Sequence, residues 1–259
     1  MLKAYLGHPK GIGVGDMIQW TSALVEFMIQ NPGETVELAY LPTKHTDICL
    51  NIPGVKYLKV DQHPKSYLNL YDLHLQPGRV QSIFSTLGLD WENKNIWYFP
   101  SESEMTYGRL FVNHKRKNIV VPWHLYGRWS KFDTFDSAKL ISTLVEMGHN
   151  VMVLDQDNVC PDLGKAKVIK YQEHTSLRNI LGLVSQADLF VGVSNFAFYA
   201  ASGTRVPSIG VFTTIDPKKL FYPIGFKDCE VHYAEKRPDL IDIDKIIDSS
   251  LRFLDTNRL

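Results

Sequence analysis

Apolar residues along this chain recur in two rhythms, and their alternation outlines a fold. LKAYL (2–6) is a short apolar run of strand type. From Asp16 the apolar positions Met17, Trp20, Leu24, Phe27 and Met28 follow helical spacing until Asn31-Pro32-Gly33 stops the helix. TVELAYL (35–41) alternates as a second strand, VKYLKVD (55–61) reads as a third and LYDLHLQ (70–76) as a fourth. A polar interruption follows at 101–118, rich in charge and poor in apolar period.

The rhythm then restarts. The strand NIVVPW (118–123) precedes a helix from Thr134 to about Met147, and Gly148 leads into the strand NVMVL (150–154). Next come KVIKY (167–171), a helix near 175–186, the strand DLFVGV (188–193), a helix near 196–203 and the strand PSIGVF (207–212). IDIDKIIDSSLRFLD (241–255) closes as an amphipathic helix. Alternating strands and helices predict α/β architecture with mainly parallel sheets. The break predicts two units, 1–115 and 116–259, with a hinge near 112–118.

Composition narrows the function classes. The chain has 259 residues, 44% of them hydrophobic, with 28 basic and 28 acidic side chains. That balance gives no global attraction to nucleic acid or an anionic membrane and leaves only local patches to supply one. No apolar stretch approaches the roughly 20 residues that span a bilayer, and MLKAYLGHP lacks the apolar core of a signal peptide. Cys49, Cys160 and Cys229 lie far apart, with no CxxC and no His/Cys pair at ligand spacing. A disulfide framework, a structural zinc and any other metal site are not expected, and a reduced, cytoplasmic protein is.

The densest chemical signal is LGHPKGIGVGDMIQW (6–20), with Gly11, Gly13 and Gly15 at every second position ahead of Asp16. Glycines after a strand let the backbone turn tightly and approach a ligand, and the helix that follows offers unpaired N–H groups to an anion. The spacing matches neither a Walker motif nor G-x-G-x-x-G. Asp16 is either a helix cap or a catalytic carboxylate.

GIGVGDMIQWTSALVEF (11–27) resembles the N-terminal signature of the heptosyltransferase-like glycosyltransferases, family 9, in which a small-residue loop ends in Gly-Asp and leads into a helix. The segments at 34–61 and 70–90 are similar to the family's next stretches. SQADLFVGVSNFAFYAASGTRVPSIGVF (185–212) resembles the family's Asp-Thr/Ser-Gly-x-x-His-x-Ala-Ala-Ala-x-Gly-x-Pro segment, with Ser194 in the place of its Asp, Phe196 of its Gly and Tyr199 of its His. VPWHLYGRWSKFDTFDSAKLISTLVEMGHNVMVL (121–154) resembles the stretch whose lysine meets the donor phosphates, a role that falls here to Arg128 or Lys131.

The resemblance implies the GT-B fold, two Rossmann-like domains facing a central cleft, with the acceptor on the N-terminal one and a nucleotide-diphosphate sugar on the other. It implies Asp16 as the base on the acceptor hydroxyl, in an inverting reaction that needs no cofactor and no metal. It places Gly13, Gly15, Arg128 or Lys131, Asp155, Ser194, Asn195, Phe196 and Tyr199 at the donor. Gln156, Asp157, Lys218 and Lys219 are weaker candidates there. The acceptor implied is a glycan. A nucleic-acid base is the alternative, from the basic NHKRK (113–117) with Trp97, Trp123 and Trp129 as stacking groups. A third reading is a nucleotide-sugar-binding protein without catalysis. A dinucleotide oxidoreductase is disfavoured, because VELAYL (36–41) lacks an acid at its end.

Overall fold

A computed structural model describes residues 1–7, 13–42, 46–74, 80–90, 95–123, 134–156, 159–171, 176–193, 195–213, 229–234 and 241–256. Two compact units divide the chain after Phe99.

The first unit carries a four-stranded parallel sheet of β1 (Leu2–Leu6), β2 (Val36–Tyr40), β3 (Val55–Lys59) and β4 (Leu68–Asn69), in the order β3-β2-β1-β4. Helix α1 (Val14–Gln30) follows β1 and buries Met17, Trp20 and Leu24 completely. Fixing Trp20 there removes one of the largest apolar surfaces of the unit from water. Two polar side chains of α1, Ser22 and Glu26, hold the segment that ends the unit. Ser22 Oγ accepts from the Trp97 N–H at 2.9 Å, and Glu26 Oε1 accepts from Trp97 Nε1 at 2.7 Å.

LYDLHLQ is not a strand. The sheet takes only Leu68–Asn69, and 70–74 form helix α2 (Leu70–His74). Asn69 explains the change: its Oδ1 accepts from the Tyr71 N–H at 3.1 Å, and its Nδ2 donates to Asp72 at 2.8 Å. Leu70 and Leu73, three apart, then share a buried face. Helix α3 (Val80–Thr86) follows, with Ile83 and Phe84 fully buried.

A charged rung crosses this sheet, because Lys3, Glu37 and Lys56 are in register on β1, β2 and β3. Glu37 accepts from Lys56 at 2.8 Å and from the Tyr67 hydroxyl. These hydrogen bonds, that from Lys56 foremost, hold its carboxyl below the usual carboxylate range against the opposing effect of burial. A lowered folded value stabilises the fold above the unfolded pKa of about 4.3, and the contribution is lost as pH falls through the folded value. Glu37→Gln is therefore expected to lower stability near neutrality and to narrow its gap from wild type in acid, measured by urea unfolding from about pH 6 to about pH 3.

The second unit opens with a helix where the sequence pattern shows only polarity. Ser101 and Glu104 form a reciprocal cap for α4 (Glu102–Arg109): Glu104 Oε2 accepts from the Ser101 N–H at 2.7 Å, and Ser101 Oγ accepts from the Glu104 N–H at 3.4 Å. This helix packs on α6 (Leu177–Val184) within the second unit, so residues 100–115 sit there rather than with the first domain as the sequence rhythm suggests. The packing is backbone-close. A Cβ on Gly182 would lie 2.4 Å from the Glu104 carbonyl oxygen, and one on Gly108 2.7 Å from that of Gly182. Beside this contact, Arg178 donates twice to Glu104, with Nη2 at 2.9 Å from Oε2, and both side chains are buried.

The remaining strands are β5 (Asn118–Pro122), β6 (Asn150–Asp155), β7 (Lys167–Lys170), β8 (Leu189–Val193), β9 (Ser208–Phe212) and β10 (Cys229–Tyr233). They form one parallel sheet in the order β10-β9-β8-β5-β6-β7. Counted from β5, that is the 3-2-1-4-5-6 order of dinucleotide-binding sheets, with its reversal between β5 and β8. Helices α5 (Thr134–Glu146), α7 (Phe196–Gly203) and α8 (Ile243–Thr256) complete the unit, and α5 and α8 supply Leu140, Ile141, Leu144, Ile246 and Leu254 to its core. The strand β10 was not apparent in the sequence. Glu230 and His232 interrupt its apolar pattern because they face α8, where Glu230 accepts from Ser249 Oγ at 2.6 Å and from Arg252.

Candidate functional site

In open parallel sheets, ligands meet the loops after the carboxyl ends of the strands, where the strand order reverses. In the first unit that place is the loop after β1, which pairs with β2 on one side and β4 on the other. In the second it lies after β5 and β8, which share only Ile119↔Leu189 and Val120↔Phe190 while neighbouring strands pair over four or five residues.

Two of the glycines that follow β1, Gly13 and Gly15, stand at the start of α1. Gly13 is the exposed N-cap, in extended backbone, and Gly15 lies in the first turn, its carbonyl accepting from Gln19 Nε2 at 3.3 Å. Asp16 curls back, so that its Oδ2 accepts from the Gly13 N–H at 3.1 Å. A Cβ at Gly13 would stand 3.3 Å from that oxygen, which is tight enough to push the carboxylate away. Asp16 is half-buried and faces the positive end of the α1 dipole. Among the described residues, Gly13 is its one hydrogen-bond partner. Capping therefore occupies one carboxylate oxygen and leaves the other uncommitted among the described residues.

In the second unit, Asn195 caps α7. Its Oδ1 accepts from the Ala197 N–H at 2.9 Å and the Phe198 N–H at 3.1 Å, so the side chain covers two of the helix's initial donors. Its amide nitrogen takes no part in these two bonds. Phe196 opens the helix half-buried, and Tyr199 is buried one turn on, its ring edge-on to Phe198 at 5.7 Å. The small residues Ala200, Ala201 and Ser202 are fully buried and bring α7 close to the sheet.

Asp155 ends β6 with no exposed surface. Its Oδ1 accepts from the Val159 N–H at 3.2 Å and its Oδ2 from the Cys160 N–H at 3.0 Å. Both oxygens shape the loop after β6. The next residue, Gln156, is exposed and accepts from the Tyr171 hydroxyl at 3.2 Å. The Tyr171 ring stands edge-on to Phe196, with centroids 6.4 Å apart. Gln156, Tyr171 and Phe196 thus gather from the ends of β6 and β7 and the start of α7. Tyr171 has no signal in the sequence, being one aromatic after a short strand.

Arg128, Lys131, Ser194, Asp157, Lys218 and Lys219 lie outside the described residues. The stacking aromatics drawn from the sequence fall in different settings. Trp123 is 6% exposed inside the second unit's core, Trp97 is pinned to α1, and Trp129 lies outside the described residues. The basic run at 113–117 precedes β5, at the opposite end of the sheet from the loops just described. Burial, aided by the Asp155 charge, pushes the Cys160 thiol up to about 11, and burial pushes Cys229 to about 12, so neither is a thiolate nucleophile at neutral pH. Among the described residues, no three His, Cys, Asp or Glu side chains stand close enough to hold a metal ion, and no helix is long and apolar enough to cross a membrane.

No protein-family model matches the sequence, and no curated protein matches it. Solved structures do match in shape. The E. coli ADP-heptose lipopolysaccharide heptosyltransferase II superposes with a TM-score of 0.69 at 13% identity, over 100% of both chains. A family 9 glycosyltransferase from Veillonella parvula gives a TM-score of 0.75 at 10% identity, over 98% of both. The E. coli heptosyltransferase WaaC, solved with ADP, gives 0.69 at 12% identity over 97% of this chain and 100% of its own. This chain has the heptosyltransferase fold. In that fold the Gly13–Asp16 turn and the Asn195 cap each follow a strand at the point where a sheet reverses its order.

Proposed function

We propose that the protein is an inverting glycosyltransferase that moves a sugar from a nucleotide diphosphate to an acceptor hydroxyl. One observation carries the reading: a chain with the heptosyltransferase fold from end to end places a carboxylate, with one oxygen uncommitted among the described residues, directly after the glycine loop of β1. Asp16 takes the proton of the acceptor hydroxyl as that oxygen attacks the anomeric carbon. The bond from that carbon to the diphosphate breaks with its electron pair on the departing oxygen. Attack opposite the leaving group inverts the centre.

The second unit holds the donor. The Asn195 amide and the start of α7 meet the diphosphate, with Arg128 or Lys131 offsetting its charge. Gln156, Tyr171 and Phe196 form the wall against the nucleoside, with Asp155 holding the loop beneath Gln156. This division of roles calls on no metal. The acceptor is a glycan hydroxyl, and the compartment is the cytoplasm.

Because WaaC was solved with ADP, ADP-linked sugars lead the test. Calorimetry against ADP-, UDP-, GDP- and CMP-sugars, with NAD as control, is expected to show one nucleotide class bound and slowly hydrolysed. Binding without turnover on any acceptor would identify a nucleotide-sugar-binding protein instead. No binding across the panel would refute both.

A further inference from the structure

The sheet of the second unit has a second pole. At the end away from Gln156, Tyr171 and Asn195, the turn before β5 exposes His114, Lys115 and Arg116 around an open hollow of about 430 Å³, lined also by Lys117, Asn118 and Asp188. Lys167, exposed at the start of β7, donates to the Phe111 carbonyl at 2.9 Å and so stands beside this turn. Asp188 is engaged by the Asn118 N–H at 2.7 Å and lies 3.8 Å from Lys117 Nζ, and Glu146 ends α5.

The turn is braced. Asn118 Oδ1 accepts from the Asn113 N–H at 2.7 Å and from Asn150 Nδ2 at 2.8 Å, while Asn118 Nδ2 donates to the Arg116 carbonyl at 3.2 Å. Asn150 Nδ2 also donates to the Phe111 carbonyl at 3.0 Å. These bonds fix where the cations are displayed. They also tie in two apolar tips: Leu110, 74% exposed at the end of α4, and Met147, 52% exposed just before the turn into β6. Among the described residues few large apolar side chains are as exposed, and here two stand beside one basic turn.

We propose that this edge docks on the surface of an anionic phospholipid bilayer. Lys115, Arg116, Lys117 and Lys167 meet the negative headgroups, and Leu110 and Met147 enter the boundary between headgroups and acyl chains. Nucleic acid fits less well. The exposed apolar tips are aliphatic, and the nearby rings of Tyr107 and Phe111 pack on each other at 5.3 Å, which leaves the His114 imidazole as the exposed ring of this turn. With equal numbers of acids and bases overall, attraction comes from local patches such as this edge, and docking by it points the carboxyl ends of the second sheet's strands away from the lipid.

The test is co-sedimentation of the full chain with vesicles of phosphatidylcholine alone or with about 30 mol % phosphatidylglycerol. Anionic vesicles are expected to bind about tenfold more tightly, and raised salt to abolish the difference. Lys115→Glu/Arg116→Glu is expected to lose that advantage. Leu110→Asp is expected to weaken binding about threefold or more at unchanged melting temperature. Lys245→Glu, at an exposed lysine of α8, should bind as wild type. Equal or absent binding to the two vesicle types, or charge reversal without effect, overturns the proposal. So does a single-stranded oligonucleotide that binds the wild type and displaces it from vesicles, which would mark the edge as a nucleic-acid surface. The readout is independent of glycosyl transfer, so its failure leaves that reading untouched.

Discussion

Asp16→Asn is expected to fold like the wild type, bind its sugar nucleotide unchanged and turn over about 10²–10⁴-fold more slowly. The side-chain carbonyl of asparagine still accepts from the Gly13 N–H, so the start of α1 is preserved and stability shifts by no more than about 0.5 kcal/mol. What disappears is the proton acceptor. Asp16→Ala removes cap and base together and adds a loss of about 1 kcal/mol to the same kinetic defect. The pair separates the two roles: a stable Asn variant with full turnover would leave Asp16 a helix cap and nothing more. Steady-state rates beside urea melts of the three proteins decide it.

Arg178→Met should be among the most destabilising single changes in the second unit, at about 3–5 kcal/mol. Arg178 and Glu104 are both nearly out of solvent and paired through two hydrogen bonds. Removing the guanidinium strands a buried carboxylate on the Ser101 N–H of its cap. Glu104→Gln in the same background neutralises the stranded charge, so the double variant should be more stable than the sum of the single losses predicts. Unfolding midpoints for the four members of this cycle give the coupling directly. A single-variant loss below about 1 kcal/mol would mean that water reaches the pair.

The parallel strands of the second unit were plain in the sequence because both faces of such a sheet are covered, so NIVVPW, DLFVGV and PSIGVF read as unbroken apolar runs. Short elements governed by one polar contact were harder to see. LYDLHLQ alternates like a strand, and only the Asn69 side chain, bonding forward to Tyr71 and Asp72, turns it into a helix. Ser101 and Glu104 have the spacing of a capping box, a signal that could have found α4, but the surrounding charge hid it. At the site, the glycine loop and Asp16 were legible, since a strand, three glycines and an acid are contiguous. The environment of Asp155 was not. A carboxylate at a strand end gives no hint that the chain returns to place the N–H groups of Val159 and Cys160 on it. Tyr171 meets Gln156 and Phe196 only through the fold.

The small sheet of the first unit also bears on how the protein avoids itself. One border is β4, two residues long before Asn69 diverts the backbone into a helix. The other is β3, which carries Lys56 and Lys59 along its length. A truncated border offers a neighbouring molecule almost no ladder to extend, and a lysine-bearing one sets like charges against each other when two copies align. Both borders of the sheet are therefore poor templates for edge-to-edge polymerisation.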